Sequence, residues 1–269
     1  MNEPYEIILP EQSTEVAPVL ISAPHVGTDF PEELRDKFNP EFVRYPRDTD
    51  WLVDQLYKFS SQNGITLIRA KYSRYVVDLN RAETSQRLYT DGRPETGVVP
   101  QNSFDGAPLY RNSPPSAQEV QSRLDKYHKP YYDKISSILE TLQRTHPHVL
   151  FFDAHSIRRQ VPRIQPEPFP DLILGDRDRT TAHPALSEAA LAGLKGAGYD
   201  TEYNTPFKGG NLTQTIGKPA QGIHALQLEK SQDIYLTEGE PALHPEKAFQ
   251  LSRVLEKVML SLIPVLKGL

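Results

Sequence analysis

Three short apolar runs in this chain end on side chains that can bind a metal or move a proton. "PVLISAPHVG" runs into His25, "VLFFDAHS" into Asp153, His155 and Ser156, and "GIHALQLEKS" into Glu229. The chain has no cysteine, which removes disulfides, thiolate metal sites and a cysteine nucleophile. Any bound metal must therefore be held by His, Asp or Glu. Two neutral imidazoles, a carboxylate and one open position make a catalytic zinc set, and His25 and His155 can supply the imidazoles. Asp29, Asp48 and Asp50 compete for the carboxylate. Asp50 is favoured, with Asp48 as a helix N-cap or a supporting group and Asp29 as the fallback. Asp153 can orient a ligating histidine, or simply bond local amides.

Glu229 closes an apolar strand. A partly desolvated carboxylate beside a metal-activated water serves as general base; the structural alternative is an ion pair with a nearby Arg or Lys. Arginines crowd the loops: Arg74, Arg81, Arg87, Arg93, Arg158, Arg159 and Arg163. Such arginines usually only solvate a surface. Arg81, however, directly follows "YSRYVVDLN", and with Asn80 it offers a guanidinium fork and an amide suited to a carboxylate. "KGGNLTQ" adds backbone donors and Asn211, or is a plain turn. His128, His146, His148, His183 and His244 fit surface or helix-capping roles, and His224, within a strand, a structural one. "GDRDRTTAHP" lacks the Lys-Ser/Thr ending of a phosphate loop.

These side chains need elements to position them. "APVLISAPH", "ITLIRA", "YSRYVVDLN", "HVLFFDAHS", "DLILGD", "YDTEYN" and "IHALQLEK" read as strands. Helical patterns lie in "DTDWLVDQLYKFSSQNG", ended by Gly64, in a long segment after Ser116 interrupted by Pro130, in "PALSEAALAGLKGAG", and in the closing "HPEKAFQLSRVLEKVMLSLIPVLKG". Residues 84 to 115 and "PFKGGNLTQTIGKPAQG" read as loops. Strands alternating with helices imply a largely parallel sheet covered on both faces, where ligands bind beyond the carboxyl ends of the strands. The candidates sit at such ends. For them to form one site, the imidazoles must approach to within roughly twice the ~2.1 Å metal–nitrogen length.

The totals narrow the function classes. With 269 residues, 38% hydrophobic, the chain suits a single catalytic domain spanning residues 1–269. A net charge of −5 without a basic block argues against nucleic acid. No apolar segment approaches the ~20 residues of a membrane span, and "MNEPYEIILP" lacks the features of a signal peptide. A cytoplasmic protein is the expectation; its oligomeric state is not legible.

The set "SAPHVGTDFP", "RDTDW", "YSRYVVDLNR", "FFDAHSIRRQVPR", "PDLILGDR", "PFKGGN" and "QLEKSQDIYL" resembles the N-formylglutamate amidohydrolases (deformylases) of bacterial histidine breakdown. The likeness runs from about residue 5 to the last helix, and the order and number of the motifs make it specific. That family is itself similar to the zinc carboxypeptidases. The resemblance implies a three-layer α/β/α sandwich around a mixed, largely parallel sheet, one zinc (or another divalent ion) held by His25 and His155, and Glu229 as general base. It also implies that Asn80 and Arg81 match the pair that grips a terminal carboxylate. One departure stands out: carboxypeptidases carry His-x-x-Glu at the first ligand site, and here Thr28 occupies the Glu position, so Asp50, Asp48 or Asp29 must supply the acid. The implied substrate is N-formyl-L-glutamate, with Arg74 beside the oxyanion and Arg81, Asn80, Asn211 and Arg158 as donors to substrate. The alternatives are hydrolysis of another N-acyl amino acid, a carboxypeptidase-like peptidase, or a non-catalytic protein that binds acidic metabolites.

Overall fold

Strands that are apolar on both sides need a sheet covered on both faces, and the computed structural model of the chain, which describes residues 3–84 and 96–269, has that arrangement. Its strands are β1 (Tyr5–Ile8), β2 (Val19–Ala23), β3 (Thr66–Ala70), β4 (Val149–Ala154), β5 (Leu172–Gly175), β6 (Thr201–Tyr203) and β7 (Ile223–Lys230). They form one sheet in the order β1-β3-β2-β4-β7-β5-β6. The central strands β3, β2, β4 and β7 run parallel, so their carboxyl ends share one edge. β1 is antiparallel to β3, β5 is antiparallel to β7, and β6 is parallel to β5. The sheet is therefore mixed and largely parallel, as expected.

The helices are α1 (Glu32–Arg35), α2 (Pro40–Arg44), α3 (Val53–Leu56), α4 (Ala117–Arg123), α5 (Lys129–Gln143), α6 (Pro184–Gly196), α7 (Asn211–Ile216) and α8 (Pro245–Lys267). Strand side chains alternate between faces. Val19, Ile21, Leu150, Phe152, Leu226 and Leu228 pack with residues of α3, α6 and α8. Leu20, Val149, Phe151 and Ala225 point the other way, against residues of α5 and the shorter helices beside it. Two residues beyond Phe151 comes Asp153, and beyond Ala225 come Gln227 and Glu229, all buried. The apolar period-two pattern thus turns polar at the strand ends on this second face, and the site lies there.

Four expectations change. "YSRYVVDLN" is not a strand: residues 73–76 form a turn closed by Val76 N–H donating to the Ser73 carbonyl at 2.8 Å. Its apolar residues pack into the core while Ser73, Arg74, Asp78 and Asn80 are buried polar groups, a mixture that side-chain bonds satisfy better than a ladder. The helix expected from Asp48 onward shrinks to α3 and a 3-10 turn at Lys58–Asn63, because Leu52 is left-handed (φ 58°) and turns the chain between Asp50 and the helix. Gly64, at φ 74°, ends it as expected. "PFKGGNLTQTIGKPAQG" contains α7, whose Leu212 N–H is capped by the distant Asn80 Oδ1 at 2.8 Å. The long helix meets Pro130 without breaking: a π-helical turn, Leu124–His128, joins α4 to α5. Of the long loop expected over residues 84 to 115, residues 85–95, with Arg87 and Arg93, lie outside the described residues; 96–115 carry no regular strand or helix.

Candidate metal centre

Pro24 stops β2, and His25 turns into the site, 2% exposed. His155 follows β4 directly. Parallel pairing of β2 with β4, Val19 opposite Leu150 and Ser22 opposite Asp153, sets both imidazoles at the same height. Their Nδ1 atoms lie 3.1 Å apart, inside the limit required for a shared cation. Asp50 arrives from the loop before α3, tied by its N–H to the His25 carbonyl at 3.0 Å. Its Oδ2 is 3.1 Å from His155 Nδ1 and 3.7 Å from His25 Nδ1.

That triangle fits a metal. Four ligands at 2.0–2.1 Å from a tetrahedral ion are separated by about 3.3 Å, close to the 3.1, 3.1 and 3.7 Å found here. The far nitrogens support the same reading. His25 Nε2 is 2.8 Å from Asp78 Oδ1, and His155 Nε2 is 3.0 Å from Asp153 Oδ2. A proton held on each Nε2 by a carboxylate turns both Nδ1 atoms toward each other, an arrangement suited to a shared cation. Asp153 thus meets the His155 ring rather than local amides.

The electrostatics agree. Burial would raise the Asp50 carboxyl, but hydrogen bonds with His155 and His25 outweigh it and hold the group well below the carboxylate range. Burial likewise opposes ionised Asp78, and Arg74, His25 and Arg81 overcome it. Burial disfavours charged His155, yet Asp153 and Asp50 raise it to about 10. The cluster demands positive charge, which a metal ion supplies by displacing protons. Asp50, not its rivals, meets the histidines. Asp48 accepts from Phe104 N–H at 2.8 Å and from Arg158 at 3.4 Å. Asp29 is exposed.

The cluster opens into a cavity of about 340 Å³ lined also by Arg74, Asn80, Arg81, Phe104, Gln227 and Glu229, a size that suits a small metabolite. Burial pushes the Glu229 carboxyl up to about 7. Lys230, next along β7, points to the opposite face and meets Tyr57 Oη at 3.2 Å. Arg74 lies against His25, with Nη2 2.9 Å from Nδ1 and 3.2 Å from Asp78 Oδ2. Arg81 donates to the carbonyls of Thr96 and Asn80, and its own carbonyl meets His128 Nε2 at 2.9 Å. His128 is therefore buried, stacked on Tyr132, rather than on the surface.

Other expected donors have partners within the protein. The Asn80 carboxamide is engaged: Oδ1 caps α7, and Nδ2 donates to Gln227 Oε1 at 3.4 Å. Gly210 explains the closeness, since a Cβ there would fall 2.2 Å from Asn80 Nδ2. Asn211 donates to Tyr132 Oη at 2.8 Å and is not part of the cavity wall, whereas Gly210 is. Arg158 is likewise off the wall, paired with Asp48 and with Asp105 at 2.9 Å. Arg163 takes its place. Sequence reasoning gave no role to Asp78 or Gln227, because neither stands at a recognisable strand end. Asp78, three residues before Arg81 in an otherwise apolar run, was the one available signal.

A largely parallel sheet with a buried His/Asp/His cluster at its strand ends, beside a carboxylate near neutrality, defines a metal-dependent hydrolase. Residues 17–236 match the model of the N-formylglutamate amidohydrolase family. The chain is 37% identical over 246 residues to N-formylglutamate deformylase of Pseudomonas putida, covering 90% of this chain and 91% of that one. It is 38% identical over 247 residues to N-formylglutamate deformylase of Pseudomonas aeruginosa, again covering 90% and 91%. Among solved structures, an N-formylglutamate amidohydrolase from Ralstonia eutropha superposes with a TM-score of 0.83 at 29% identity, covering 99% of each chain. The chain belongs to the N-formylglutamate amidohydrolase family. Among the described residues no helix is long and apolar enough to cross a membrane.

Proposed function

We propose that this protein hydrolyses N-formyl-L-glutamate to formate and L-glutamate at the His25–Asp50–His155 centre. The observation that carries this is the Nδ1–Nδ1–Oδ2 triangle, each imidazole backed by its own carboxylate, in a chain of this family. A divalent ion, zinc by its ligand set, would supply Lewis acidity toward the formyl oxygen and the attacking water. Asp78 and Asp153 accept from the Nε2 atoms of His25 and His155 and so orient the rings with Nδ1 toward the centre. Glu229, with a pKa near neutrality, takes a proton from water and returns it to the leaving amine. Arg74 places its guanidinium beside the centre, where a tetrahedral oxyanion needs donors. Arg81 meets the substrate α-carboxylate, and Asn80 sets the wall behind it by holding α7.

The deciding experiment is formate release from formylglutamate, with metal content measured before and after chelation and after re-addition. Turnover that disappears with the metal and returns with it is expected. A panel of acetyl and succinyl amino acids and short peptides separates this from other amidase or peptidase activity. A metal-free preparation that binds formylglutamate without releasing formate would instead identify a binding protein.

A further inference from the structure

We infer that Arg163 is the residue that selects a second carboxylate on the substrate, the one at its side-chain end. This rests on the reading that the cavity takes N-formylglutamate, and it assigns the part of the site that tells glutamate from its uncharged analogues. Neighbouring arginines are neutralised: Arg158 by Asp48 and Asp105, Arg159 by Asp171 and Asp233. Arg163 lines the cavity and makes no ion pair with any described residue.

Its position is built, not incidental. The turn that carries it is closed by Ile164 and Gln165 N–H groups donating to the Val161 carbonyl at 2.8 and 3.2 Å. Val161 belongs to a small apolar cluster, with Ile157, Phe169 and Ile173, that is separate from the two main core clusters and fixes this turn over the cavity. The guanidinium lies on the backbone of Gly106, where a Cβ would come within 2.2 Å of Nη1 and 2.7 Å of Cζ. Gly106 also has φ 86°, which glycine adopts without strain. Arg163 is exposed at the rim of the cavity, and its guanidinium occupies the space a side chain at Gly106 would fill; a fork already placed there loses less entropy on binding. Ile164 and Phe207, on the same wall, suit the methylenes between two carboxylates. With the formyl group at the metal centre and Arg81 at the α-carboxylate, Arg163 is left for the γ-carboxylate, which it can bind bidentately.

The test compares kcat/KM for N-formylglutamate with that for N-formylglutamine. In the wild type the charged substrate is preferred. Arg163→Met should reduce that preference roughly 10- to 100-fold, the range of one or two charge-assisted hydrogen bonds. The loss should fall mainly on KM, as for a group that binds ground and transition states alike. Arg163→Lys should recover part of it. Gly106→Ala, which displaces the guanidinium without removing it, should also lower the preference, with a melting curve to confirm the fold. An Arg163→Met enzyme that keeps the wild-type preference overturns the inference. Should the wild type release no formate from formylglutamate, the functional reading fails separately. Calorimetry with glutarate then still decides: binding weakened roughly 10- to 100-fold in Arg163→Met supports the role, and equal affinity refutes it.

Discussion

Asp78→Asn removes one charge from the centre while keeping its shape, and both of its consequences can be worked from the bonds Asp78 makes. Oδ1 accepts from His25 Nε2 at 2.8 Å and from Asn80 N–H at 2.9 Å; Oδ2 accepts from Arg74 Nη2 at 3.2 Å. Asparagine has one acceptor and one donor end. With its oxygen toward His25, its NH2 faces Arg74, donor against donor. Flipped, its NH2 faces two donors instead of one, so the first orientation wins. The metal-free protein should then lose about 1–3 kcal/mol, the cost of a buried donor left unsatisfied, with the larger figure apt for a charged one. His25 keeps a bond at Nε2, but to a neutral acceptor. Its ring is less basic, and Arg74, without its partner, adds positive charge beside the ion. Loss of such a supporting carboxylate weakens metal affinity roughly 10- to 100-fold. Competition with a chromophoric chelator measures the affinity, and urea melts of the metal-free protein measure the stability. Unchanged affinity in a variant that is destabilised would show that Asp78 only balances Arg74, and the assignment of His25 Nδ1 as the ligating atom would lose its support.

Glu229→Gln should lower kcat by roughly 10²–10⁴ while metal content, measured by elemental analysis, stays at the wild-type level. Because burial raises Glu229 to about 7 and the base must be ionised, wild-type kcat/KM should climb with pH through a limb near neutrality; a flat profile from pH 5 to 8 would remove Glu229 as the base. Gly210→Ala should cut turnover and destabilise the fold together, since its methyl would overlap the Asn80 amide that caps α7. At the opposite end of the strands, His224 accepts from His183 N–H at its Nδ1 and meets His148 Nδ1 through Nε2 at 3.1 Å. Burial, reinforced by His148 and His183, lowers it to about 4. The unfolded chain takes up this proton near pH 6.5 and the folded chain only near 4, so stability should fall as pH drops through that window. After allowance for solvent at the edge of the cluster, the loss between pH 7 and pH 5 should be on the order of 1–2 kcal/mol. It should be absent in His224→Asn, with urea melts at the two pH values as the measure.

The residues themselves decide the chemistry available here: no thiol, two histidines and a glutamate at the ends of apolar runs, and strand patterns regular enough to imply the sheet. Period-two and helical patterns are local, so they survive reading in one dimension. The resemblance of ordered motifs carried the family as well. What sequence did not decide is which of several chemically equal groups arrives. Asp29, Asp48 and Asp50 are the same side chain; a left-handed residue at Leu52 and an amide bond to the His25 carbonyl bring Asp50 to the histidines and leave Asp29 exposed. Arg158 and Arg163 differ in their surroundings: one has Asp48 and Asp105 beside it, the other a bare Gly106 and the cavity. Asn80, expected as a donor to substrate, lines the cavity and at the same time caps α7 through Oδ1. Each of these outcomes depends on which segments far apart in the chain are brought together by sheet register and loop path. Only the folded structure contains them.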